Sequence, residues 1–174
     1  MLSKINVIGI VKGHLRTLGR VNGADVTKLD RSYIDLALFY ALPPLIAVLL
    51  VACPGSLRLK STDGLLNVAG ILFGFLAAIY FFVLERIGVG TRGESHERVL
   101  RETRYNVGYA TLVLLLLLVL LALPAFGTGM VPIDPTTGRA EHVAGWLSGL
   151  IVGLGVHFVL TMLMIVKRVD GVAS

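Results

Sequence analysis

The sequence predicts an all-α fold of the membrane class, a polytopic bundle of four transmembrane helices joined by short loops. Three observations carry that expectation. Hydrophobic residues make up 55% of the chain and charged residues only 16%, with a mean hydropathy of +0.82, whereas soluble domains are about a quarter charged. The apolar residues are gathered into blocks long enough to cross a hydrocarbon core, which takes about 20 residues of helix. One block, LVLLLLLVLLAL at 112–123, has no polar face at all, which a soluble bundle of half-buried helices does not explain.

The chain opens with a basic segment, residues 1–33, too short to bury a core of its own. Leu2, Ile5, Val11, Leu15 and Leu18 recur at roughly helical spacing, with Lys4, Lys12 and Arg16 between them. A helix of this kind either lies on the inner membrane face or packs as a cytosolic helix on the bundle or a partner. Gly9, Gly13 and Gly19 weaken it in both settings. Residues 1–20 lack the unbroken apolar core and small-residue cleavage site of a signal peptide, so the first span is expected to direct insertion itself.

The transmembrane domain is expected over 34–166, with spans at 34–53, 65–84, 105–126 and 144–166 and a tail at 167–174. In the first span Pro43 and Pro44 lack backbone N–H groups. They should free the carbonyls of Phe39 and Tyr40 and kink the helix. That kink is either static or a gate hinge. The second span carries Gly70, Gly74 and Ala78 at a spacing of four, which lets helix backbones approach closely.

Between the second and third spans lies ERIGVGTRGESHERVLRETR. Gly88, Gly90 and Gly93 match the dinucleotide pattern G-x-G-x-x-G, but that motif works only between a strand and a helix, and this loop leaves no room for a sheet. A turn followed by a helix running on into the third span fits better, with Thr91 and Glu94 at capping-box spacing. Arg92, Arg98, Arg101 and Arg104 are candidates for contact with acidic lipid headgroups or a cytosolic partner.

The fourth span holds Gly145, Gly149, Gly153, His157 and Thr161 on one slowly drifting stripe, a second helix-packing face. His157 stands ten residues before Lys167, about 15 Å into the membrane. A histidine at such depth has a partner or a task. It is either a packed, hydrogen-bonded histidine with Tyr40, Tyr80 or Thr111 as candidate partners, or part of a proton or ion pathway, or one of a ring of histidines in an oligomer.

Orientation follows from the positive residues. Thirteen of the sixteen Lys and Arg fall in the leading segment, the middle loop and the tail, which predicts that both termini face the cytoplasm. The net charge of +5 belongs to these flanks, so no nucleic-acid partner is expected. The single cysteine, Cys53, permits no intrachain disulfide and no cysteine-based metal site. No nucleophile–base pair, metal-ligand cluster or paired carboxylate can be assembled, so neither an enzyme, a cofactor nor a metal is expected. Asp35, Asp63, Glu85, Glu102 and Glu141 all lie at or beyond span ends, unlike the mid-membrane carboxylate of a proton-coupled exporter.

Three stretches, GHLRTLGR…DRSYIDLALFYALPPLIAVLL, RETRYNVGYATLVLLLLL and VGLGVHFVLTMLMIVKRV, resemble small four-pass bacterial inner-membrane proteins, some thought to accompany anti-phage defence or toxin-like modules. The resemblance implies a bacterial inner-membrane protein that is one component of a larger system. Two functions remain open: a homo-oligomeric membrane component that recruits or signals to a cytosolic partner, and a small ion channel or transporter using the His157 face and the Pro43–Pro44 kink.

Overall fold

A computed structural model describes residues 7–17, 19–21, 29–31, 33–53, 59–88, 94–126 and 143–173, with side chains for 7–15, 17, 37–53, 59–87, 100–126 and 143–166. The elements are α1 (Val7–Thr17), β1 (Gly19–Val21), β2 (Leu29–Arg31), α2 (Tyr33–Tyr40), α3 (Leu42–Ala52), α4 (Asp63–Gly88), α5 (Glu94–Ala122) and α6 (Gly145–Ala173), with a 3-10 turn over Leu123–Phe126. The architecture is helical apart from β1 and β2, which pair antiparallel as a three-residue ribbon with Arg20 opposite Asp30.

Among the described residues, three helical stretches are long and apolar enough to cross a membrane: Asp63–Ile87, Leu100–Phe126 and Gly145–Val166. The expected first span is shorter, an apolar stretch over Ala37–Ala52 that reaches about 24 Å at 1.5 Å per residue. Its helix is interrupted at Ala41 because Pro43 and Pro44 have no N–H to return to Phe39 and Tyr40. The bonds on either side survive, from Ala41 N–H to the Ala37 carbonyl at 2.8 Å and from Leu45 N–H to the Ala41 carbonyl at 3.0 Å. The chain therefore turns through the break without losing its helical course.

In space, α4 packs on α5, α5 on α6, and α6 on the shorter α3, while α1 packs on α5. The core lies between α4, α5 and α6 around Leu76, Val107, Ala110, Leu114, Leu121 and Leu147. Within the uniformly apolar block of α5, Val113, Leu114, Leu117 and Leu121 are buried while Leu115, Leu116 and Val119 are exposed. Packing, not composition, selects that face. The end of the bundle away from α1 is tied by the backbone of Leu59. Its carbonyl accepts from Val143 N–H at 2.8 Å and its own N–H donates to Ser148 Oγ at 3.3 Å.

Candidate functional site

The Gly149–Gly153–His157 stripe of α6 faces the helix broken between α2 and α3 as an antiparallel ladder. A Cβ on Gly149 would come within 2.8 Å of the Ala47 carbonyl oxygen, and one on Gly153 within 2.8 Å of the Pro43 oxygen. Glycine at both positions lets α6 lie directly on the backbone of α3. One rung further, His157 meets Phe39: its Nδ1 is 3.0 Å from the Phe39 carbonyl oxygen. A carbonyl only accepts, so Nδ1 carries the proton and donates. In the neutral ring Nε2 is then an acceptor, and the Tyr109 hydroxyl, 2.8 Å away, donates to it. The Phe39 carbonyl is one of the two that the prolines leave without a helical partner. Thr161, buried on the next turn, donates its hydroxyl back to the His157 carbonyl at 2.8 Å.

Around His157 the aromatic rings are close. The Tyr109 ring stands edge-on to it at 5.7 Å and the Tyr40 ring lies tilted at 5.8 Å. Tyr40 and Tyr109 also interact through their hydroxyls. On its other side Tyr109 is stacked flat on His14 of α1, with ring centroids 3.9 Å apart and planes 7° apart. His14 is fully buried. Its Nδ1 donates to the Asn106 side-chain oxygen at 3.0 Å, an oxygen that also lies 2.7 Å from the Thr17 hydroxyl. That hydroxyl is 2.6 Å from the His14 carbonyl. The Asn106 amide nitrogen is buried and meets no acceptor among the described residues. Gly13 completes the joint, since the Tyr105 ring occupies the space where a Cβ would stand.

Two histidines from opposite ends of the chain thus share one tyrosine. Tyr109 and His14 did not stand out in the sequence. The signal for Tyr109 was its place one helical turn beyond Tyr105 in a span with few polar groups. For His14 it was the Gly13-His14…Thr17 spacing, which puts small and polar residues on one side of α1. Of the partners the sequence suggested for His157, Tyr40 is a ring neighbour, Thr111 donates to the carbonyl of Val107 at 2.8 Å, and Tyr80 packs over Gly108.

The stripe on α4 behaves differently. A Cβ on Gly70 or Gly74 would meet nothing within 4 Å, and Ala78 is exposed. These residues do not join two helices of this chain. Gly145 begins α6 and is half-buried. Pro43 is buried against α6 while Pro44 is exposed. Arg101 is exposed, and Arg104 holds its guanidinium 5.2 Å over the Tyr105 ring. Arg92 and the glycine loop at 89–93 lie outside the described residues, and Arg98 is described only by its place in α5.

A cavity of about 310 Å³ opens between α4, α5 and α6, bordered by aliphatic and aromatic residues such as Leu65, Leu72, Leu117, Ile151 and Phe158. It contains none of the polar groups around Tyr109. Among the described residues no group of three or more His, Cys, Asp or Glu could hold a metal ion. The chain matches no family model, no curated protein and no solved structure in comparisons with known proteins.

Proposed function

We propose that the chain is a non-enzymatic, four-pass component of a bacterial inner membrane, with both termini in the cytoplasm. In this reading it assembles as a homo-oligomer and recruits or signals to a cytosolic partner, in the manner of a membrane element of a defence system. The observation that supports it is the way His157 spends its two nitrogens. Nδ1 is held by a backbone carbonyl and Nε2 by a tyrosine hydroxyl, so the imidazole ties three helices together. A carbonyl accepts a hydrogen bond but passes no proton onward, which favours this reading over a proton path through His157. A water-filled route would also need polar lining, and the cavity between α4, α5 and α6 is bordered by apolar side chains.

The deciding experiment is the native mass and composition of the protein after mild extraction from its host membrane. A complex carrying a cytosolic protein supports recruitment, and charge reversal at Arg98 and Arg101 should then release that protein while the spans stay folded. A homo-oligomer with nothing attached, together with flux in vesicles that changes in His157→Ala, would replace this reading with the channel or transporter.

A further inference from the structure

The helix α1 is built in an unusual sense. The side that it turns to the bundle carries Gly13, His14 and Thr17, all buried. Apart from Ile10, the large apolar residues point away: Ile8 is 68% exposed, Val7 and Leu15 are exposed beside it, and Val11 is half-covered. Lys12 is exposed as well. At about 100° per residue these positions fall into three sectors roughly a third of a turn apart. One holds Ile10, Gly13, His14 and Thr17, one holds Val7, Ile8, Val11 and Leu15, and Lys12 starts the third. A helix between protein and water would show two sectors, with its apolar side inward. Three sectors require a third medium, and an outward sector of Val, Ile and Leu requires an apolar one.

The depth of α1 agrees. Its inner face meets α5 at Tyr105, Asn106, Gly108 and Tyr109, inside the stretch long and apolar enough to span a membrane. Just before them, Arg104 lies over the Tyr105 ring, the arrangement expected where a span reaches the headgroups. These contacts therefore begin at the boundary and reach about 6 Å below it at 1.5 Å per residue. Interfacial helices bury their apolar faces to about 5–10 Å. The outward sector of α1 is thus continuous with the lipid-facing surface of α5.

We propose that α1 is immersed in the lipid leaflet at the N-terminal end of α5, with acyl chains against Val7, Ile8, Val11 and Leu15 and anionic headgroups against Lys12. The Tyr109 ring, between His14 and His157, then joins a lipid-contacting helix to the kink in the first span. This assignment rests on the membrane placement of α5 and is independent of whether a cytosolic partner is recruited.

The test uses the full chain with Cys53→Ser and one new cysteine at a time: Ile8→Cys, Lys12→Cys or Leu15→Cys. Each is spin-labelled and reconstituted into vesicles of phosphatidylcholine and phosphatidylglycerol, with Val7→Cys as the substitute where Ile8→Cys does not fold. Labels at 8 and 15 should collide severalfold more with oxygen than with a water-soluble nickel chelate, and the label at 12 should show the reverse. Nickel access at 8 and 15 equal to that at 12 would place α1 in water and overturn the proposal. Protection of 8 and 15 from both reagents would also overturn it, because protein would then cover that face.

Discussion

The Nδ1–H of His157, in α6, is bonded to the carbonyl of Phe39, in α2, across 118 residues of sequence. That carbonyl is open because Pro43 has no N–H to offer it. Each group thus supplies what the other lacks. The pair belongs to a ladder in which Gly149 meets Ala47, Gly153 meets Pro43 and His157 meets Phe39.

The pairing makes a coupled prediction. His157→Ala should destabilise the bundle by about 1–2 kcal/mol, the upper range for hydrogen bonds measured between membrane helices. In a Pro43→Ala background the same change should cost less, because the restored N–H of residue 43 gives the Phe39 carbonyl a helical partner. Unfolding equilibria of the four chains in detergent form the cycle. Equal losses in both backgrounds would show that the proline does not set up the bond.

A second expectation separates close packing from glycine content. Gly153→Ala should push α6 off α3, since its Cβ meets a carbonyl oxygen, whereas Gly155→Ala meets nothing within 4 Å. The first should lower the unfolding midpoint. The second should be neutral or slightly stabilising, because alanine is the better helix former by up to about 1 kcal/mol in water-soluble peptides.

Much of this was legible in advance, for reasons specific to each element. The long apolar stretches declare three of the helices through length and composition alone. The stripe on α6 is visible because small residues at a period of four announce a close approach whatever lies opposite. Its counterpart was visible only in part: the prolines marked the Phe39 carbonyl as free, but Ala47 and Pro43 contribute backbone carbonyls, which every residue possesses. Gly70 and Gly74 have the same spacing as Gly149 and Gly153, yet open space lies over them. A glycine does not record whether another helix is present. The contact of α1 with α5 was hidden because the apolar spacing left open whether the helix meets the membrane face or the bundle, while Gly13, His14 and Thr17 carry much of the contact.

The joint between α1 and α5 gives a third expectation. Gly13→Ala places a methyl group where the Tyr105 ring stands, and should loosen α1 while leaving α4, α5 and α6 together. Proteolysis between α1 and α2 should then become faster with little change in the unfolding of the spans. Unchanged cleavage would mean that the ring simply moves aside.

The exposed face of α4 is open to a direct test of self-association. Gly70→Leu and Gly74→Leu add side chains where the chain itself has room, so each variant should fold normally. If copies meet through this face, both should reduce the native oligomer mass. An unchanged mass would move any contact between copies elsewhere.

The bond between Phe39 and His157 also bears on how the protein is made. At roughly 5–20 residues per second, synthesis of the 118 residues that separate them takes on the order of ten seconds. Throughout that interval the nascent α2–α3 segment carries a proline-broken backbone without the His157 imidazole that completes it. Docking of α6 therefore supplies the partner of the Phe39 carbonyl only after that interval.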